Sequence, residues 1–337
     1  MSIPTTLDRV TPQWLSTVLG TEVGAVRVDR IGGDRGLTSE CGLVAADGLD
    51  LDFVVKLPRP DQWERSLREI RLLETVDLPL RAPRILSSDF AASDRRTAII
   101  MSRACGEPGD IVAGTTADRL VALLTDLAAL HAAFRSPRAL EKLEWLPRWG
   151  AGTSGAERPH RRRAERYTSR IGPFLANHGR SAPAWSMGLL ETAAIGLEER
   201  FARLAALPPT LIHGDAHLDN IVFKKDAATW LDWQSAARGP GLYDVVRLLG
   251  ETIDVTDELA LARRLVHRWA NTLKAAGVSE DEVDAEIDHL PDMAVAVLVG
   301  FVSGYGARAD LGERERRMVA RAVSPEGLFG FVRHLAG

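Results

Sequence analysis

Along the chain, apolar positions change their spacing near Gly109. Before it, short runs alternate with turns; after it, three- and four-residue steps dominate. Thr11 and Pro12 open a short capped helix over residues 13–19, ended by Gly20. Residues 23–31 alternate as a strand, 32–39 form a glycine turn, and 41–45 return as a second strand. Residues 51–57 read as a strand with Lys56 in its apolar body. A helix over 61–76 places Trp63, Leu67, Ile70, Leu73 and Val76 on one stripe, and 84–90 and 96–101 read as two more strands. Beyond Gly109, residues 116–134 form an amphipathic helix and 187–207 a single further helix. From Tyr243 onward helix follows helix: 244–252, 257–275, 279–290, 292–308, 313–322 and 325–335. The pattern predicts a mixed α and β chain whose strands lie in its first third.

One stretch interrupts the helical part. Leu211 and Ile212 lead into a polar loop, His213-Gly-Asp-Ala-His-Leu-Asp-Asn220, and Ile221 to Phe223 lead out. A second apolar run then delivers Asp232 within Trp230-Leu-Asp-Trp-Gln234. Short apolar runs around a polar insert read as buried strands holding a rigid loop. The inventory of Asp215, Asn220 and Asp232 is the one phosphoryl transfer needs. One carboxylate takes the acceptor hydroxyl's proton, while an amide oxygen and a second carboxylate hold magnesium.

Other readings of the same residues exist. His213, Asp215 and His217 could serve a metal-dependent hydrolase, but such sites need further ligands at matched spacing, and the remaining histidines lie in helical or charged surroundings. His213 itself reads as a packed structural residue. His217 and Asp219 either orient the loop or line an acceptor pocket, and Asp244 reads as the cap of the helix that follows. In the 32–39 turn, backbone at Gly33 and the hydroxyl of Thr38 or Ser39 could approach phosphate oxygens; a plain hairpin turn fits equally. No Gly-Lys pair occurs, which excludes a standard Walker A loop. Of 42 basic residues only five are lysine, so a lysine kept in mid-strand at 56 favours binding of ATP phosphates over a solvated edge position.

His213-Gly-Asp-x-x-x-x-Asn220 followed by Leu231-Asp-Trp-Gln234 resembles the aminoglycoside phosphotransferase and choline kinase-like family, a branch of the protein-kinase-like fold. Gly214 stands where protein kinases have arginine. Asp-Trp-Gln with Arg238-Gly-Pro-Gly-Leu-Tyr-Asp244 is similar to bacterial phosphotransferases related to ecdysteroid kinases. The resemblance spans nearly the whole chain. It implies an α+β, two-lobed fold: a small N-terminal lobe of antiparallel sheet plus helix over 1–103, a hinge at 104–109, and a larger, mainly helical lobe over 110–337. It implies Asp215 as the catalytic base, Asn220 and Asp232 as Mg²⁺ ligands, and Lys56 as the partner of the α- and β-phosphates of ATP. Glu69, rather than Glu64, would steady Lys56. Backbone from Ser102 to Ala104 would bind adenine beside Met101. The reaction implied is γ-phosphoryl transfer to a hydroxyl of a small molecule, with an antibiotic as one acceptor, in resistance or self-protection. A nucleotide-binding pseudokinase is the alternative, opposed by the intact set of Lys56, Asp215, Asn220 and Asp232.

Composition narrows the partners. Apolar content of 45% and charged content of 26% are ordinary for a globular protein, and a net charge of −4 supplies no global field for nucleic acid. Cys41 and Cys105 alone form no disulfide framework, so a cytoplasmic setting is expected. The first residues lack a basic region followed by an apolar one, and no apolar run reaches ~20 residues, so neither a signal peptide nor a membrane span is expected. Residues 293–302 are the most apolar run and read as a buried helix. Residues 138–180 are markedly basic around Arg161-Arg-Arg163, which disfavours a polycationic acceptor and suits a neutral or anionic one.

Overall fold

The computed structural model describes residues 2–32, 38–49, 52–150, 158–225 and 227–336, leaving aside the side chains of 181 and 255–259. Two compact units are present, Met1–Glu107 with Ile221–Ser235, and Pro108–Asn220 with Ala236–Gly337.

In the first unit, helix α1 (Pro12–Leu19) starts at Thr11, whose hydroxyl accepts the Trp14 N–H, and ends at Gly20 in the left-handed region. Five antiparallel strands follow: β1 (Val26–Ile31), β2 (Ser39–Ala46), β3 (Phe53–Pro58), β4 (Ile85–Ala91) and β5 (Arg96–Ser102), in the order β1-β2-β3-β5-β4. Helix α2 (Trp63–Thr75) lies between β3 and β4 in sequence. The two-residue period of the strands sorts their side chains. Val55, Leu57, Ala98 and Ile100 join Trp14 and Leu15 in one core cluster, whereas Ile99 and Met101 pack with Ile70 of α2 in another. Lys56, between Val55 and Leu57, therefore points to the α2 side. After the two-residue strand β6 (Glu107–Pro108), the chain returns to this unit as the hairpin β8 (Ile221–Lys224) and β9 (Ala227–Trp230). The Trp230 N–H donates to the Arg81 carbonyl at 2.8 Å, which fixes the hairpin end that carries Asp232.

The second unit is helical. Helix α3 (Ala117–Ala133) begins at Thr116, whose hydroxyl accepts the Arg119 N–H. A short α4 (Pro137–Glu141) precedes α5 (Pro159–His178), which carries the Arg161–Arg163 run. The single helix expected over 187–207 is two helices, α6 (Ser186–Ala194) and α7 (Leu197–Ala206). Ile195 is extended and Gly196 is left-handed at φ +60°, so the hydrogen-bond ladder breaks between them. Strands β7 (Thr210–Ile212) and β10 (Ala237–Gly239) pair, and β7 leads into the loop that begins at His213. Helices α8 (Leu242–Thr252), α9 (Val255–Ala275), α10 (Glu280–Asp288), α11 (Leu290–Tyr305), α12 (Glu313–Val323) and α13 (Leu328–Ala336) complete the unit. Helix α11 holds the apolar run 293–302, buried at nearly every position against α5, α8 and α13. Among the described residues, no single helix is long and apolar enough to cross a membrane.

The start of α8 shows how this unit positions its chemistry. Gly241 offers no capping side chain. Instead Glu286 of α10, fully buried, accepts the Leu242 N–H at 2.7 Å and pairs with Arg135. A carboxylate at a helix N-terminus satisfies an orphan donor and the positive end of the helix dipole. Glu286→Ala is expected to destabilise the fold by about 3 kcal/mol or more, because Arg135 is left buried without its charge partner. Urea unfolding of both proteins checks this.

Candidate functional site

In the first unit, three charged side chains meet. Lys56 Nζ lies 2.6 Å from Glu69 Oε2 and 2.7 Å from Asp232 Oδ1. Lys56 and Glu69 are buried, and Asp232 retains 28% exposure of its side chain. Glu64, the competing candidate, is exposed and 3.7 Å from Arg95. The other carboxylate oxygen of Glu69 accepts the Trp233 N–H at 3.2 Å, so α2 and the Asp232 turn share one anchor. Burial opposes the charge on Lys56, but Asp232 and Glu69 overcome it and hold its pKa well above the ordinary lysine value. Burial pushes the Glu69 carboxyl up, with Lys56 pulling the other way and Asp232 reinforcing the rise. Asp232 is a non-glycine residue at φ 59°, a strained conformation that functional turns commonly store.

Gln234 completes this cluster. Its Nε2 donates to Asp232 Oδ2 at 3.1 Å and to Thr38 Oγ1 at 3.3 Å, so it ties the aspartate to the start of β2. Sequence reasoning quoted Gln234 within the motif but assigned it no role. Ser39, beside Thr38, has a buried hydroxyl with no partner among the described residues. Gly33 lies outside the described residues. Cys41 faces Lys56 across the β2–β3 register, and burial pushes its thiol up to about 11. Met101 packs inside on Ile70, while Ala104 follows the strand in irregular chain. Ser102 departs from the expected adenine contact in one respect. Its N–H already donates to the Arg84 carbonyl at 2.9 Å, so this donor is committed to the sheet edge.

In the second unit, the buried strand β7 leads into the loop at His213. Gly214 has φ +79°, which explains glycine where protein kinases carry arginine. Asp215 Oδ1 accepts from Arg247 Nη2 at 2.9 Å, and its Oδ2 lies 3.5 Å from His217 Nε2. Burial alone would raise the Asp215 pKa, but His217 and Arg247 hold it far below the ordinary carboxylate range. The same pairing raises His217 against its own desolvation. Asn220 Nδ2 donates to the Asp215 carbonyl at 3.0 Å, which fixes which way its amide points, and His217 Nε2 lies 3.1 Å from the same nitrogen. His213, Asp215 and His217 do not gather as a metal site: among the described residues no cluster of three or more metal-ligating side chains occurs.

Two aspartates act on the loop from beneath. Asp219 accepts the Ile111 N–H at 2.9 Å and a forked pair of bonds from Arg314, so its role is to orient the loop. Asp244 is not the cap of its helix. It sits inside α8, wholly buried, and accepts the N–H groups of His213 at 2.6 Å and Gly214 at 2.9 Å. Behind it stands His131, whose Nδ1 accepts from the Trp269 indole at 3.1 Å. Indole is a donor only, so His131 carries its proton on Nε2, 3.3 Å from Asp244. Arg247, three residues past Asp244 on the same helix, is the functional residue that sequence reasoning missed. Its position one turn along from Asp244 was the available signal.

A model of the phosphotransferase enzyme family matches residues 43–281. Among solved structures, a spectinomycin phosphotransferase in complex with ADP and spectinomycin is 12% identical, with 96% of this chain and 97% of that one covered and a TM-score of 0.61. An ethanolamine kinase from Plasmodium vivax is 12% identical over 93% of this chain and 84% of its own, with a TM-score of 0.57. A choline kinase from Streptococcus pneumoniae is 13% identical over 93% and 97%, with a TM-score of 0.53. At such identities the likeness establishes the fold. No curated protein matches the chain.

Removing Lys56 leaves Glu69 buried without its cation. Lys56→Met is expected to cost about 3 to 5 kcal/mol at neutral pH. The sign of its pH dependence follows from Glu69, whose folded pKa lies above its unfolded value of 4.5. The folded variant keeps a proton that the unfolded chain releases, so stability falls as pH rises from the unfolded value of 4.5 through the raised folded one. Unfolding midpoints at both ends of that range measure it.

Proposed function

The chain belongs to the phosphotransferase enzyme family, and on that premise we propose that it transfers the γ-phosphoryl group of ATP to a hydroxyl of a small molecule. The observation that carries this reading is the buried Lys56 joined to Glu69 on one side and to the half-exposed Asp232 on the other. A buried ammonium with one fixed and one exchangeable carboxylate suits the α- and β-phosphates of a nucleotide. Glu69 would keep Lys56 in place when phosphate oxygens arrive. The hydroxyl of Thr38 or Ser39 and the backbone at Gly33 are assigned to the phosphates as well, Met101 to the flank of the adenine, and the backbone from Ser102 to Ala104, apart from the committed Ser102 N–H, to its edge.

The donor set fits magnesium. Asp232 offers carboxylate oxygens that reach the surface, and the Asn220 amide uses its nitrogen within the loop, which leaves its oxygen for a hard cation. When bound, the metal neutralises charge on the phosphates. Asp215 is ionised under all ordinary conditions, so it accepts a hydrogen bond from the acceptor hydroxyl and aims it. Its depressed pKa makes it a weak base. It takes the proton only as the acceptor oxygen bonds to the γ-phosphorus, while the bond from that phosphorus to the β-bridging oxygen breaks and ADP leaves.

The proposed acceptor is a hydroxylated small molecule, neutral or anionic, with an antibiotic hydroxyl as the leading case and resistance or self-protection as the outcome. The basic α5 supports this charge preference. A cytoplasmic location is part of the proposal, supported by the free Cys41 and Cys105. ADP release from Mg·ATP, across aminoglycosides, nucleoside antibiotics, hexoses, choline and homoserine, tests the reading. Acceptor-dependent release is expected to fall by roughly 10² to 10⁴ in Asp215→Asn, with nucleotide affinity retained. Unchanged turnover in that variant would remove Asp215 from its role.

A further inference from the structure

Several arginines of the second unit are set against carboxylates. Arg135 pairs with Glu286, Arg200 with Asp292, Arg308 with Glu315, and Arg314 with Asp219 and Asp110. Arg247 pairs with Asp215 and with Glu251 at 2.7 Å. Arg163 of α5 points inward, and among the described residues no carboxylate lies within ion-pair reach of it. Its guanidinium instead rests on two rings, 4.2 Å from the centre of Phe201 and 5.0 Å from that of Trp149. Stacking on aromatic faces steadies the cation without using its N–H donors. Desolvation lowers the Arg163 pKa, the burden expected of an unpaired inward charge.

This cation is connected to the reacting aspartate. Tyr243 packs on Trp149 with ring centres 5.3 Å apart, and on α8 it lies one turn before Arg247, which pairs with Asp215 at 2.9 Å. The rings of Trp149 and Tyr243 thus link Arg163 to the helix that carries Arg247, the partner of Asp215. Within the basic run 161–163, helix phase decides which arginine this is. Arg161 is exposed and pairs with Glu165, and Arg162 is exposed, while Arg163 turns to the rings.

We propose that Arg163 is a specificity residue that binds an oxyanion, a carboxylate in the first instance, on the same acceptor molecule whose hydroxyl is presented to Asp215. The acceptor is then an alcohol carrying an anionic group, with Trp149 and Tyr243 forming the aromatic wall along which it lies. Arginine binds carboxylate through parallel N–H donors, and a site already desolvated strengthens that contact. This inference rests on the kinase reading for the role of Asp215; the anion preference itself is a property of Arg163.

The test uses the full chain and a matched set of alcohols: para-(hydroxymethyl)benzoate, the corresponding benzamide and the corresponding benzylamine. Ligand-observed NMR titration gives the three dissociation constants for wild type, Arg163→Met and Arg163→Lys. Methionine keeps the stem between the rings without charge, and lysine keeps charge without the fork. Wild type is expected to bind the carboxylate at least about tenfold more tightly than the amide, the size of one charge-assisted hydrogen bond, and the amine most weakly. Arg163→Met should erase that order and Arg163→Lys restore part of it, with thermal unfolding showing both variants folded. Equal or tighter binding of the amide or amine, an unchanged order in Arg163→Met, or no binding of the carboxylate at millimolar concentration would overturn the proposal. ADP release assayed in parallel separates the two readings. Turnover of a neutral alcohol with no anion preference would sink this inference and leave the kinase standing. An anion preference in a protein that binds no nucleotide would do the reverse.

Discussion

One buried ammonium organises the first unit. Lys56 neutralises Glu69 on α2 and Asp232 at the end of the β8–β9 hairpin, so strand, helix and hairpin are joined at a single atom. Without that charge, two carboxylates would face each other in a poorly hydrated space, a strongly unfavourable arrangement. Asp232 also adopts a left-handed backbone, which costs on the order of 1 kcal/mol for a non-glycine residue. Its bonds to Lys56 and Gln234 offset this and set both carboxylate oxygens. The consequence for chemistry is pre-organisation: the cation is oriented by the more buried glutamate and can change its other partner.

The second unit reaches a comparable result by the opposite means. Asp215 is an anion set against the Arg247 guanidinium with the His217 imidazole beside it, and the loop that bears it is secured by a different residue. Asp244 accepts the N–H groups of His213 and Gly214 and is itself backed by His131 and Trp269. The backbone of the loop is therefore held from below, and the Asp215 carboxylate is left to interact through its side chain. Arg247 and Asp244 lie on the same helix, whose N-terminus is fixed by Glu286. Displacement of α8 would disturb the loop and its charge partner together.

Much of this was legible in the residues. The sequence put Lys56 within a strand, and the kinase-like resemblance paired it with Glu69 rather than Glu64; the structure turns Lys56 away from the core cluster of Val55 and Leu57 and onto Glu69 at 2.6 Å. The apolar runs on either side marked 213–220 as a rigid loop, and the Asn220 amide closes it on the Asp215 carbonyl. The unreadable parts were those set by contacts distant in sequence. The inward turn of Asp244 depends on His213, 31 residues away. The commitment of the Ser102 N–H depends on Arg84 across the sheet edge. The break at Gly196 was open to local reading, since a glycine in a helical pattern is a candidate stop, but the flanking periodicity outweighed it. In the basic segment, composition showed a charge run, and only packing showed that one of its arginines faces aromatic rings.

The central claim is that the Lys56, Glu69 and Asp232 cluster is a site for a magnesium nucleotide. Calorimetric titration of ATP into wild type and Asp232→Asn, each with and without Mg²⁺, tests it most directly. The account predicts that Mg²⁺ tightens binding to wild type and that this increment disappears in the variant, while metal-free ATP still binds through Lys56. Equal affinity of wild type for ATP with and without Mg²⁺, or an increment that survives in Asp232→Asn, would contradict it.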